Sequence, residues 1–310
     1  MNTAFLKAYA PKARLAFINA VKDRAANLGI THTTDGLQIM EMKPEGDAIL
    51  MNGQFSLLDG QVIDKKLKNQ RNALQRSIEQ HGYTHVIEQI AYTWFNRFVA
   101  IRYMELHAYL DHGYRVLSHP SDKAQPEIIE HAEHADLPDL DKDEVIQLKL
   151  DGTQDEKLYR LLLIAQCNAL HHAMPFLFEK IDDETELLLP NNLLHSDSLI
   201  RQLVSAIPET DWVNIEIIGW LYQFYISDKK DQVIGKVVKS EDIPAATQLF
   251  TPNWIVKYLV QNSVGRLWTL ANPDSNLKQQ WDYYIEPAQQ TPDVQAQLNT
   301  LIKTRLTETE

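Results

Sequence analysis

Apolar residues recur at every third or fourth position over most of the chain, which is the periodicity of amphipathic helices. The first such stretch, residues 3–28, is followed by Gly29, a residue suited to the left-handed backbone that ends many helices. The same pattern predicts a helix after Asp64 and helices over about 84–111, 155–173, 197–207 and 212–227. The pattern therefore predicts a mainly α protein, an irregular assembly of many helices.

The helix predicted over about 84–111 is apolar on more than one face. Helices that are apolar around most of their surface are buried. We therefore expect this helix to be central and packed on two sides. The residues that create the pattern are Ile87, Ile90, Ala91, Trp94, Phe95, Phe98 and Ile101.

Two short segments favour strands instead. Leu37–Met42 and Ala48–Met51 flank a turn over residues 43–47 that holds a proline and a glycine, which predicts a small β-hairpin. A second possible strand runs from Val233 to Val238.

Proline and charge patterns suggest four parts. Residues 118–143 hold three prolines and many acidic residues, which is typical of a linker or a surface excursion. We expect a helical region with the hairpin over 1–117, an acidic linker or excursion over 118–150, a second helical region over 151–240, and the start of a further domain with a polar tail over 241–310.

Composition narrows the class of protein. A hydrophobic content of 44% and a charged content of 23% are those of a globular protein. No apolar run reaches the roughly 20 residues that span a bilayer, so no membrane association is expected. The single cysteine, Cys167, cannot form an internal disulfide, which favours a cytoplasmic location. Its apolar surroundings indicate a buried, inert thiol.

Charge is unevenly distributed, although the net value is −12. Residues 1–120 carry 14 basic and 11 acidic side chains, whereas residues 121–220 carry 7 and 21. The first third is therefore the expected surface for DNA, because cationic side chains neutralise phosphates. The candidate contacts lie on the helix after Asp64, where an ordinary solvated face is the alternative; they are Lys65, Lys68, Arg71 and Arg76.

Other signals of chemistry are weak. His131 and His134 would be close on a helix, but their strongly acidic segment is more typical of a solvated surface than of a metal site. His81 and His85 have helical spacing, but Gly82 between them indicates a helix start. We therefore predict no metal site.

A helix start near the C-terminal end is more informative. In the segment Phe250-Thr251-Pro252, Thr251 is expected to be the N-cap and Pro252 the first helical residue, where its missing N–H costs nothing. The helix is predicted to run to about Leu270, before Pro273. From these residues alone, an ordinary capped helix start is an equal alternative to a functional motif.

Four ordered blocks resemble the N-terminal part of the PglX family, the DNA adenine methyltransferases of BREX phage-defence systems. The first is Lys7–Arg14 and the second is Ala91–Glu105. The third is Glu216–Ser227. The fourth joins Phe250-Thr251-Pro252 to Asn262–Trp268.

The resemblance implies a protein that methylates adenine N6 in a short non-palindromic DNA site, using S-adenosylmethionine, for host marking and phage restriction. It implies that residues 241–310 begin the methyltransferase domain and that Phe250, Thr251 and Pro252 form one wall of the cofactor pocket. The family's glycine-rich cofactor loop and Asp/Asn-Pro-Pro-aromatic loop do not occur in these 310 residues. No catalytic residue can therefore be assigned, and the chain alone is predicted to be inactive.

The implied partners are DNA, other BREX subunits and a phage inhibitor that mimics DNA. The alternative function is a non-enzymatic helical module that docks defence subunits or such an inhibitor.

Overall fold

The computed structural model describes residues 3–42, 49–51, 54–56, 65–175, 178–181, 184–233, 235, 243–247 and 249–307. The chain divides into two compact units, Met1–Gln248 and Leu249–Glu310. Among the described residues, no helix has both the length and the apolar character that crossing a membrane requires.

Helices dominate the first unit, as the periodicity predicted. The long helices are α1 (Thr3–Asn27), α2 (Lys65–His81), α3 (Tyr83–Leu106) and α6 (Asp155–Ala173). The shorter ones are α4 (Glu127–Glu130), α5 (Lys142–Asp151), α7 (Glu184–Leu187), α8 (Leu199–Ala206), α9 (Glu216–Tyr225), α10 (Ser227–Val233) and α11 (Ile243–Thr247). The second unit holds α12 (Asn253–Asn262), α13 (Val264–Ala271) and α14 (Pro292–Thr307). The mainly α class is confirmed.

The chain leaves α1 through a glycine, as predicted. Gly29 has a φ of 71°, in the left-handed region where a side chain would be strained. Its N–H donates to the carbonyl of Ala26 at 2.8 Å. This reversal directs the chain into the first strand.

Strand pairing differs from the prediction. β1 (Ile30–Thr33) pairs with β2 (Gly36–Ile39), and β3 (Ile49–Met51) pairs with β4 (Gln54–Ser56), both antiparallel. The predicted pairing of 37–42 with 48–51 is therefore wrong, because those segments belong to different hairpins. A two-residue turn ending at Gly36, whose φ is 105°, closes the first hairpin. The predicted turn over 43–47 lies outside the described residues.

Three helix boundaries also differ. α3 ends at Leu106 rather than near 111. The predicted helix over 212–227 is a 3₁₀ turn, Glu209–Val213, followed by α9. Val233 ends the helix α10 instead of beginning a strand, and 234 and 236–238 lie outside the described residues.

α3 is the central helix of the first unit, as expected. Trp94 and Phe98 are fully buried, and Phe95 is 1% exposed. The Phe17 ring of α1 meets the Phe95 ring edge to face, with centroids 5.6 Å apart. Trp94 also donates its indole N–H to the Thr185 carbonyl at 3.0 Å. Aromatic packing on several sides thus fixes α3 among its neighbours.

The acidic segment contributes to the same core. Ile128, Ile129 and Ala132 are buried with the other apolar residues of the first unit. The structure's own division of the chain falls after Gln248. The finer four-part division remains a prediction.

A buried ion pair joins α3 to the chain that follows it. Arg102 and Glu105 have side chains 1% and 0% exposed, and Arg102 Nη1 donates to Glu105 Oε1 at 2.7 Å. The backbone N–H groups of Val116 and Leu117 donate to Glu105 Oε2, each at 2.7 Å. Arg102 Nη2 reaches Glu209 at 3.0 Å. One carboxylate therefore fixes the return of residues 116–117 to α3.

We predict that Glu105→Gln lowers the free energy of unfolding by about 3 kcal/mol or more, since the buried guanidinium of Arg102 then keeps only the half-exposed Glu209 as a charged partner. Urea unfolding followed by circular dichroism measures this change.

The matched control is Glu209→Gln. Its side chain is 51% exposed, so removing its charge should cost no more than about 1 kcal/mol. Equal losses for the two variants would contradict the assigned role of Glu105.

Candidate cofactor and nucleic-acid surfaces

The helix start after Phe250 begins one residue later than predicted. Pro252 is the N-cap of α12, with φ −52° and ψ 141° and no side-chain capping hydrogen bond. Its carbonyl accepts from the N–H groups of Ile255 and Val256 at 3.0 and 3.2 Å. The prediction that Thr251 caps the helix is wrong, because the carbonyl of Pro252 already receives the first helical hydrogen bonds.

The three predicted cofactor residues lie together on the segment that enters α12. Phe250 and Pro252 are half-buried, and Thr251 is exposed. Their role in a cofactor pocket remains a prediction.

The predicted single helix to about Leu270 is two helices. Ser263, with φ −116° and ψ −89°, separates α12 from α13. Beside the break, the Asn262 side chain donates to the Tyr283 carbonyl at 2.7 Å and accepts from the Ile285 N–H at 2.8 Å. A Cβ on Gly265 would lie 2.9 Å from the Trp281 ring, so a side chain would displace that ring. These contacts hold residues 281–285 against the helix pair.

Apolar side chains are exposed around both helices of this pair, and we call this set the unit 2 apolar surface. Each member is between 40% and 68% exposed. The five positions Trp254, Val256, Tyr258, Leu259 and Val260 are within seven residues of one helix, so they face several directions. Helices with apolar residues all round are normally buried. The remaining members are Val264, Leu267, Trp268 and Leu270.

The basic helix α2 presents fewer free cations than predicted. The Lys65 side chain lies outside the described residues. Lys66 forms an ion pair with Glu186 at 2.8 Å. Lys68 is half-buried, and Arg76 is exposed with its Nε donating to the Asn72 carbonyl at 3.2 Å.

Arg71 lies in the interior, contrary to its prediction as a DNA contact. Its Nε donates to the Leu28 carbonyl at 2.7 Å and its Nη2 to the Met40 carbonyl at 2.5 Å. It is 3% exposed, and burial lowers its pKa. The guanidinium joins α2 to both ends of the first hairpin, which leaves it unable to reach a phosphate. The DNA roles of Lys65, Lys68 and Arg76 remain predictions.

The histidine and glutamate side chains considered for a metal site make other contacts. The His131 ring stacks on Tyr114 with centroids 4.5 Å apart. Glu130 pairs with Lys123 at 2.7 Å, and Glu133 pairs with Lys149. Within the part of the chain that the structure describes, no group of three His, Cys, Asp or Glu side chains could hold a metal ion.

Cys167 is fully buried, as predicted. Burial raises the pKa of its thiol to about 12, so the reactive thiolate is not populated at neutral pH.

Two curated proteins are similar to this chain over nearly all of its length, while no family model matches it. The adenine-specific methyltransferase BrxX of Escherichia coli O9:H4 (strain HS) is 57% identical over 304 residues, covering 96% of this chain and 24% of BrxX. The adenine-specific methyltransferase PglX of Lacticaseibacillus casei (strain Zhang) is 38% identical over 316 residues, covering 94% and 26%. The chain is a homologue of BrxX and PglX. It spans about a quarter of their length.

This homology confirms the resemblance that the four sequence blocks indicated, and it is consistent with an N-terminal portion of a BrxX- or PglX-like protein. The expectation that the catalytic domain lies outside these 310 residues is consistent with the share of the two relatives that the chain covers.

We predict that Arg71→Met lowers the free energy of unfolding by about 2–3 kcal/mol, because it leaves two buried carbonyls without a charged donor. Thermal or urea unfolding of the 310-residue chain measures the loss.

Arg76→Met, one turn further along α2, is the control and should change stability by less than about 0.5 kcal/mol, as exposed substitutions usually do. A neutral effect of Arg71→Met would show that this guanidinium does not support the hairpin.

Proposed function

We propose that this chain is the N-terminal, non-catalytic region of an S-adenosylmethionine-dependent adenine-N6 DNA methyltransferase of a BREX phage-defence system. The whole protein would methylate a short non-palindromic site for host marking and phage restriction. Homology to two proteins named adenine-specific methyltransferases supports this role. Within that protein, the first unit is a scaffold that also contacts DNA, and the second begins the catalytic domain.

The observation that carries the proposal is the unit 2 apolar surface. Trp254 and Leu259 are 54% and 57% exposed, although residues of this type are normally buried. An apolar surface of this extent marks an interaction site. We propose that the catalytic domain buries the unit 2 apolar surface, because about three quarters of each relative lies outside the region that this chain matches.

The cofactor residues fit this arrangement. S-adenosylmethionine supplies the methyl group that such enzymes transfer. The exposed Thr251 hydroxyl and the half-buried Phe250 and Pro252 offer one polar and two apolar groups on an extended segment, which suits one wall of a nucleoside pocket. The rest of the pocket and the catalytic groups would come from the catalytic domain.

The first prediction of this proposal concerns activity. The 310-residue chain should transfer no methyl group from labelled S-adenosylmethionine to DNA. In a protein that also carries the catalytic domain, Trp254→Gln with Leu259→Gln should lower methylation at least about tenfold, since each polar amide would be buried at a site built for apolar atoms.

Lys257→Gln is the matched control, an exposed polar position on the same helix, and it should retain activity. Methylation by the 310-residue chain alone would overturn its non-catalytic assignment. Full activity of the double variant would favour an interaction module, whose apolar surface binds a separate partner.

The second prediction concerns DNA contact by α2. Lys68→Glu with Arg76→Glu should weaken DNA binding and reduce the slope of log affinity against log salt by about two, one for each lost phosphate contact. Fluorescence anisotropy of the 310-residue chain with a labelled duplex, at several salt concentrations, measures both.

The control reverses two lysines of the acidic region 121–220, Lys142→Glu with Lys157→Glu, which makes the same change in net charge. It should leave the salt slope unchanged. An equal effect of both double variants would mean that only net charge matters and would remove α2 as the DNA surface.

A further inference from the structure

A cavity of about 610 Å³ opens in the first unit, where α1, the start of α3 and the α9–α10 corner meet. This volume is typical of small-molecule sites, which range over about 300–1,000 Å³. None of the cavity's residues belongs to the predicted cofactor or DNA sites. A ligand in this cavity would therefore bind independently of the proposed function.

One end of the cavity favours an anion. The wall includes Gly82, the N-cap of the 24-residue helix α3, which has no side-chain capping hydrogen bond and no acidic residue in its first turn. The amide groups at such an end carry partial positive charge and accept anions readily. His81 and His85 are exposed on either side of Gly82.

Two cations share one carboxylate on the same wall. Arg14 Nη2 lies 3.1 Å from Glu88 Oε1, and Lys229 Nζ lies 3.8 Å from Glu88 Oε2. The Lys229 and Glu88 side chains are each 31% exposed, so solvent and a ligand can reach them.

The rest of the wall is aromatic. Tyr92 lies between Tyr222 and Tyr225, with ring centroids 5.7 and 5.6 Å away. Tyr83 stacks on the His32 ring at 5.4 Å, with planes 16° apart. Several ring faces and edges thus surround a space that a planar heterocycle can fill.

A polar group on this wall lacks a partner. Tyr225 is 3% exposed, and its hydroxyl is buried without a hydrogen bond to any described residue. Burial raises the pKa of this phenol and outweighs the opposing charge of Arg14, so the hydroxyl stays protonated and can donate. Buried hydroxyls are normally hydrogen-bonded, so this one suggests a missing acceptor.

We propose that this cavity binds a nucleotide, with its base among the tyrosines and its phosphate at the start of α3 beside Lys229. The nucleotide is either free or the 5′-phosphorylated end of a DNA strand, since both present the same chemistry. The aromatic wall selects the ring, and the uncapped helix end together with the Lys229 ammonium on the cavity wall selects the phosphate.

Isothermal titration of the 310-residue chain with each of the four deoxynucleoside 5′-monophosphates tests the proposal. At least one should bind, and Lys229→Gln should weaken its binding about tenfold, the loss expected for one charge-assisted contact. Tyr222→Ala should weaken it as well. Lys230→Gln, on the same helix but absent from the cavity wall, is the matched control and should bind as the unaltered chain does.

Two further titrations show whether the bound nucleotide is free or at the end of a strand, and whether its phosphate is required. If strand ends are the ligand, a short single strand with a 5′-phosphate should bind better than the same strand with a 5′-hydroxyl. If free nucleotides are the ligand, the monophosphates should bind and neither strand should. S-adenosylmethionine, a nucleoside without phosphate, should not compete. Its competition, the absence of binding by all probes at millimolar concentration, or unchanged binding by Lys229→Gln would overturn the proposal.

Discussion

Buried guanidinium groups that donate to main-chain carbonyls hold the first unit together. The segment between α6 and α8 is mostly irregular, so many of its carbonyls have no helical N–H to accept from. Three arginines from helices satisfy carbonyls there: Arg24 reaches Leu187 at 3.0 Å, Arg97 reaches Glu179 at 2.8 Å, and Arg160 reaches Glu186 at 2.9 Å. A buried carbonyl without a partner costs about 1–3 kcal/mol, so these arginines allow an irregular segment to pack against helices.

The same constraint explains why a map of charge along the sequence overstates the basic surface. Arg14, Arg24, Arg71, Arg97 and Arg102 all belong to the first third of the chain, and all are buried. Their charges act on carbonyls or on carboxylates of the same unit, as Arg102 does on Glu105 and Arg14 does on Glu88. Part of the excess of basic residues over 1–120 therefore lies in the protein interior and not on its surface. Exposed cations such as Arg76 remain available to a nucleic acid.

Local patterns predicted most of the fold. α1, α2 and α6 lie where apolar periodicity placed them, and Gly29 ends α1 because its conformation is decided by its own backbone. The predictions were wrong where residues far away in the sequence determine the local structure. Strand 36–39 pairs with 30–33 through the Gly36 turn, although a proline-containing turn seemed to join it to 48–51. The position of Arg71 depends on carbonyls 31 and 43 residues away in sequence, which no periodicity reports.

In the second unit, local sequence patterns did not predict how exposed the apolar side chains are. α12 and α13 form where the pattern predicted one helix, and α14 forms within the predicted polar tail. Trp254 is 54% exposed, whereas Trp94 of the first unit is fully buried. The two tryptophans differ in their surroundings and not in chemistry: α3 has helices on several sides, whereas α12 contacts α13 and residues 281–285 of its own unit. Helices of 8 and 10 residues are marginal by themselves, so α12 and α13 depend on tertiary packing. Exposure that is anomalous for a residue type, as at Trp254, is the reason for proposing an interaction at this surface.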